Sequence, residues 1–294
     1  MYNNFLDLEE KSSNLFPVHV WPVPYQGTVS FGDGTKNGPE AILKASYQIE
    51  PFDLELEADI SKLCSFITLP FQRINVAGPG YLYQEMTEFL NEYDPSKDFF
   101  LTLGGEHSIS FPLIDFYARQ YPDLTIIQID AHADLRKDFE GSPYSHACVM
   151  ARALDLGIKM VQLGIRSFCR DEAELIEKSK QQILPFYAWD LPSPTQTAEK
   201  IKDFVGDGPV YVTFDADGLD PSIMPGTGTP EPGGLSYSWV KDLWKNLWPG
   251  PRLIGMDFCE LAPIPSNVVS ESVAVKSILK ILTTYFSSLR KQVK

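Results

Sequence analysis

Six short, nearly continuous apolar segments recur along the chain: HVWPVP (19–24), FFLTLGG (99–105), LTIIQIDA (124–131), KMVQLGIR (159–166), PVYVTFDAD (209–217) and LIGMDFCE (253–260). A strand that is apolar on both faces leaves no side for water, so each must be covered above and below. Around and between them, apolar residues recur every three or four positions near 38–47, 80–92, 108–120, 145–156, 171–180, 195–205, 236–247 and 267–290. That is the spacing of amphipathic helices. The alternation predicts an α/β fold with three layers, α/β/α, around a central, mostly parallel sheet. With 294 residues and 44% hydrophobic content, the chain can bury a full core. The Pro/Gly-rich MPGTGTPEPGGL (224–235) sits between a strand and a helix. It reads as a structured loop rather than a boundary, so residues 1–294 are expected to form a single domain.

Polar residues fall at particular places on this frame. Gly104-Gly105-Glu106-His107 follows one strand, and Asp130, His132 and Asp134 follow the next. Asp215 and Asp217 end a third strand, and Glu260 ends the last. Ligands of open α/β sheets bind outside the carboxyl ends of the strands. Residues i, i+2 and i+4 of an extended segment face one side, so DAHAD (130–134) predicts three ligand atoms aimed at one point. A single Asp at a strand end usually caps the next helix. Two carboxylates at i and i+2 repel, and burying them without a cation is costly.

The chain has only four histidines. His107 and His132 fall among the acidic strand ends and read as ligands, with His146 beside them. His19 opens an apolar strand with no acidic neighbour in sequence and reads as structural. The candidate set of His107, Asp130, His132, Asp134, Asp215 and Asp217 exceeds the usual three protein ligands of one catalytic zinc. It suits a pair of divalent cations sharing carboxylates. Oxygen-rich ligation with some imidazole points to two Mn²⁺, with Ni, Co, Fe and Zn left open.

A net charge of −14 argues against a nucleic-acid partner, which needs a basic footprint. Cys64, Cys148, Cys169 and Cys259 form no CxxC pair, which points to reduced thiols and gives no support to a thiolate metal site. MYNNFLDLEEK (1–11) lacks the basic and apolar regions of a secretory leader, and no apolar run approaches the roughly 20 residues of a membrane span. The expectation is a cytoplasmic protein with no membrane partner.

GGEHS (104–108), DAHADLR (130–136), FDADGLDP (214–221), PGTGTPEPGG (225–234) and MDFCELAP (256–263) together resemble the signature set of the ureohydrolases, the arginases, agmatinases and related amidinohydrolases. VPYQGTVSFGDGTKNGPEAI (23–42) resembles the family's opening segment, so the likeness runs nearly the whole length in order. It implies an arginase-like fold, two manganese ions on the six residues above, and a homo-oligomer, trimer or hexamer. It also implies that Glu260 accepts the paired N–H donors of a small cationic guanidino substrate, and that His146 carries a proton to the leaving amine. Three positions depart from the family pattern: Glu106 where Asp is common, Thr213 for a frequent Ser, and Ala147-Cys148 where Gly often follows the histidine. None removes a reacting group. The interval LRKDFEGSPYSHAC (135–148) resembles the agmatinase branch rather than the arginases, so agmatine is the expected substrate. Guanidinobutyrate, guanidine and arginine are the alternatives within the class, and a non-catalytic metal-binding homologue is the alternative outside it. A metallophosphoesterase would carry a GNH[DE] segment, and this chain has none.

Overall fold

The computed structural model describes residues 4–8 and 15–292. Residues 1–3 and 9–11 of the stretch read for a leader lie outside them, as do the last two residues of the expected domain. The main sheet has eight strands: β1 (Phe16–Val23), β2 (Cys64–Thr68), β3 (Phe99–Gly104), β4 (Thr125–Ile129), β5 (Lys159–Ile165), β6 (Ile183–Tyr187), β7 (Pro209–Asp215) and β8 (Arg252–Cys259). They lie in the order β2-β1-β3-β8-β7-β4-β5-β6, and every neighbouring pair is parallel. The one antiparallel pair among the described strands is a two-residue ribbon outside this sheet, Phe52–Asp53 with Ala58–Asp59. β2 and β6 were not anticipated. Both are five-residue edge strands with partly exposed side chains, so neither carries the continuous apolar run that marks a central strand.

Among the described residues, eight α-helices complete the layers: α1 (Gly38–Ser46), α2 (Pro79–Leu90), α3 (Ser110–Ala118), α4 (Val149–Asp155), α5 (Arg170–Lys178), α6 (Pro194–Val205), α7 (Tyr237–Leu247) and α8 (Val269–Gln292). Successive strand residues point to opposite faces, and the two cores divide accordingly. Ile127, Val210, Val212 and Met256 pack with Leu43 of α1, Ile201 of α6, Trp244 of α7 and Ile278 of α8. Ile126, Tyr211, Met160 and Ile254 pack with Met86 of α2, Leu113 of α3, Met150 of α4 and Ile176 of α5. No helix among the described residues is long and apolar enough to cross a membrane.

One row on the second face is polar. Register aligns Thr102 (β3) with Asp257 (β8), Asp257 with Thr213 (β7), Thr213 with Gln128 (β4), and Gln128 with Gln162 (β5). All five are fully buried. The Thr213 hydroxyl donates to Asp257 Oδ1 at 2.8 Å, the Tyr211 hydroxyl donates to its Oδ2 at 2.7 Å, and Gln162 Nε2 donates to Gln128 Oε1 at 2.7 Å. A buried polar group costs free energy unless it is hydrogen-bonded, and these bonds join β7 to β8 and β4 to β5 just below the carboxyl edge.

Gly105 is where the first strand end meets the edge. Its N–H donates to Val23 O, its carbonyl accepts from Glu260 N at 2.8 Å, and a Cβ on it would lie 1.8 Å from Tyr25 O. Backbone cannot yield as a side chain end can. Gly105→Ala is therefore expected to destabilise the fold by roughly 2–4 kcal/mol, read as a loss of Tm in a thermal melt. An unchanged Tm would show that the Gly105 approach is not tight.

Candidate metal centre

The strand order makes neighbours of residues far apart in sequence. β3, β8, β7 and β4 are adjacent, so His107, Glu260, Asp215 with Asp217, and Asp130 to Asp134 emerge side by side. His107 Nδ1 lies 2.8 Å from Asp134 Oδ2, 3.1 Å from Asp130 Oδ2 and 3.4 Å from Asp215 Oδ2. His132 Nδ1 lies 3.0 Å from Asp217 Oδ2 and 3.6 Å from Asp130 Oδ1. The six candidates thus form two groups, and Asp130 reaches into each with a different oxygen. A carboxylate shared in this way is what a pair of cations requires.

DAHAD does not continue as a strand, contrary to the alternation its spacing predicts. β4 ends at Ile129, and Asp134 adopts a left-handed backbone, φ 53°. The chain turns instead of continuing as a strand, so Asp130 and Asp134 face His107 while His132 faces Asp217. Asp215 likewise caps a 3₁₀ turn, Ala216–Gly218, that contains Asp217, and the two serve different groups. Convergence is correct; strand geometry is not its cause.

The hydrogen bonds of His107 test whether a cation fits. Its Nε2 lies 2.8 Å from the Thr213 hydroxyl, which gives its own proton to Asp257. Thr213 must therefore accept, so Nε2 carries the hydrogen, and Nδ1, wherever it is not protonated as well, is left with a lone pair. That lone pair is buried, has no aligned hydrogen bond, and faces three carboxylates. Acceptor facing acceptor is repulsive unless positive charge sits between them. A divalent cation fits that need.

Without a cation the cluster must hold protons instead. Burial raises Asp134 to about 7, with repulsion from Asp130 adding to it. Burial, then Asp217 and Asp130, push Asp215 well above the usual carboxylate range. Burial opposes charge on His132, yet its bonds to Asp130 and Asp217 push it up to about 12. Asp130 moves the other way: burial would raise it, but His107 and His132 hold it low.

Glu260 is also in left-handed backbone, φ 60°, and its Oε1 accepts His107 N at 2.6 Å. Burial and the nearby Glu106 raise it well above the usual range. His146 begins a 3₁₀ turn ahead of α4, is half-buried, and is lowered chiefly by burial. His19 lies 3.1 Å from Asp98 and lines no part of the candidate centre, so its structural reading stands with an acidic partner that sequence proximity could not reveal. Cys259 places its sulfur with His107 and Asp215 in a third candidate group. Burial raises that thiol well above its ordinary range, and it donates to Phe214 O at 3.7 Å.

Several residues of the site were not singled out from sequence. Asp257 and Gln128 hold ligand residues, the latter donating to Asp130 Oδ2 at 2.7 Å. Arg166 donates to the carbonyls of Asp217 and Glu231, both at 2.7 Å, and so braces the β7 turn. Their signal was a polar residue inside an apolar strand or at its end. A cavity of about 370 Å³ opens from His107, His132, Asp134, Asp215, Asp217 and Glu260 past His146 toward Phe31, Phe139 and Phe168.

Residues 16–283 match the model of the Arginase family. The chain is 35% identical to the N(1)-aminopropylagmatine ureohydrolase of Synechocystis sp., over 94% of this chain and 91% of that one. It is 32% identical to the agmatinase of Bacillus cereus, over 90% and 89%. Among solved structures, proclavaminate amidino hydrolase from Streptomyces clavuligerus superposes with a TM-score of 0.88 at 26% identity, covering 98% of each chain.

Two outcomes test the centre. Asp130→Asn removes the shared carboxylate and is expected to lower bound Mn²⁺ after dialysis, read by elemental analysis; full retention would remove Asp130 from the ligand set. Metal binding must also displace the Asp134 proton, which is half-present near pH 7. Raising the pH empties that site, so apparent Mn²⁺ affinity should rise about tenfold between pH 6 and 8 from this group alone. Calorimetric titrations across that range check the sign.

Proposed function

The chain belongs to the arginase family, and from that premise we propose that this ureohydrolase of agmatinase type acts on N(1)-aminopropylagmatine, with agmatine as a shorter and slower substrate. The observation that carries this reading is the shape of the cavity. Its floor holds Glu260 and the carboxylate cluster, and its mouth is lined by Phe31, Phe139 and Phe168. Aromatic faces suit methylene chains and cationic nitrogens, which an extended guanidino-amine supplies along its length. The similarity to aminopropylagmatine ureohydrolases supports extending the sequence expectation beyond agmatine.

The chain's own residues define the chemistry. One oxygen of Glu260 is anchored by His107 N, which orients the carboxylate to receive the paired N–H donors of a planar guanidinium. Two divalent cations, Mn²⁺ by the donor set, would be held by His107, Asp130, His132, Asp134, Asp215 and Asp217 and supply a water-derived nucleophile at neutral pH. The water oxygen bonds to the guanidino carbon, and the bond from that carbon to the alkyl nitrogen breaks. Urea forms, and both protons of the water end on the departing nitrogen, one of them taken up and passed on by His146, so that the amine leaves as an ammonium ion and His146 returns to its starting state. Arg136, on the cavity wall, stacks on Phe139 at 5.1 Å and could take a carboxylate tail, which favours guanidinobutyrate as the competing reading.

Urea release from Mn²⁺-loaded protein decides among them. The expected order of kcat/KM is aminopropylagmatine, agmatine, guanidinobutyrate, with the first exceeding the second by about tenfold. Preference for guanidinobutyrate would overturn the substrate reading, and no urea from any guanidine would overturn the reaction. His146→Asn is expected to keep its metal and lose roughly 10²–10⁴-fold in kcat.

A further inference from the structure

The loop after β1 reaches across the site to His146. The Thr28 hydroxyl lies 3.0 Å from His146 Nδ1 and donates its proton to Glu106 Oε1 at 2.7 Å. Glu106 is fully buried, and its other oxygen accepts Gly27 N and Thr28 N, both at 2.7 Å. Ser108 Oγ completes the set on Oε1 at 2.7 Å.

A hydroxyl has one proton, and this one is committed to Glu106. Thr28 can therefore only accept from the ring, so Nδ1 carries the hydrogen. Nε2 has no bond among the described residues and remains for the cavity that His146 lines. The Nδ1–H···Oγ bond persists whether Nε2 is empty or protonated, so a proton can come and go without rearranging the ring.

We propose that Thr28 and Glu106 are positioning residues that hold His146 as its Nδ1–H tautomer, reserving Nε2 for proton transfer to the leaving nitrogen. This rests on the reading of His146 given above. It also gives Glu106 a purpose: its carboxylate spans the loop backbone on one oxygen and two hydroxyls on the other.

Glu106→Gln makes the sharpest test. Gly27 N and Thr28 N require an acceptor, so the amide oxygen must take the Oε2 place and the NH₂ must face Thr28. The Thr28 hydroxyl then accepts from the amide and turns its proton toward His146, forcing the Nε2–H tautomer. Two-bond ¹H–¹⁵N correlation spectra of the full chain, metal-free and with diamagnetic Zn²⁺, report the tautomer directly, and four histidines keep assignment simple.

The expected result is Nδ1–H in the wild type, Nε2–H in Glu106→Gln, and a mixture in Thr28→Val. In urea release, Thr28→Val is expected to lose about 10–100-fold in kcat with KM within about twofold and Mn²⁺ content unchanged, while Thr28→Ser restores the rate. An Nε2–H ring in the wild type overturns the proposal, as does a Thr28→Val enzyme with wild-type kcat. Loss of rate with the tautomer unchanged would mark Thr28 as merely structural and overturns it equally. The spectra stand even if the wild type releases no urea, which would instead refute the proposed function.

Discussion

Four aspartates buried around two imidazoles at the edge of a parallel sheet form the constraint on which the rest depends. Like charges in a low-dielectric interior repel strongly, so no flexible chain would hold them together. The sheet does so because its hydrogen-bonded strands, packed on both faces, leave each strand end no freedom to withdraw. The same repulsion makes the site selective for positive charge. Protons or divalent cations meet that demand.

Preorganisation of this kind has to be supported from below. The polar row from Thr102 to Gln162 sits at one register level beneath the site. It sacrifices apolar packing in five central strands to orient His107 through Thr213, and Asp130 through Gln128. Left-handed backbone at Asp134 and Glu260 is a further local cost, of order 1–3 kcal/mol each. Strain at these two residues turns their carboxylates into the cluster and toward the cavity, which a relaxed extended backbone would not do.

The layered fold was legible because buried strands and amphipathic helices write their periods into the chain. The central strands are buried and apolar over most of their length, and the edge strands β2 and β6 are partly exposed, so only the former read as continuous apolar runs. That the candidate residues would lie together was legible because two carboxylates two residues apart have no cheap alternative to a cation. Their division into two groups was not, since it depends on turns at Asp134 and Ala216 that periodicity cannot express. Nor could sequence show that His19 meets Asp98, or that Thr28 meets His146 across 118 positions. Such contacts follow from strand order, which alternation of elements leaves undetermined.

One device recurs in the finished site. At His107, a threonine hydroxyl gives its proton to buried Asp257 and so accepts from Nε2, which frees Nδ1 to face the carboxylates. At His146, a threonine hydroxyl gives its proton to buried Glu106 and so accepts from Nδ1, which frees Nε2 for the cavity. Each imidazole has two chemically distinct nitrogens, and the bond made by one decides the work of the other. A carboxylate alone would do this less cleanly, because it would draw positive charge onto the ring. Interposing a hydroxyl fixes the tautomer while keeping the negative charge one atom further away. One ring thereby faces the carboxylate cluster with Nδ1, and the other is left to face the cavity with Nε2.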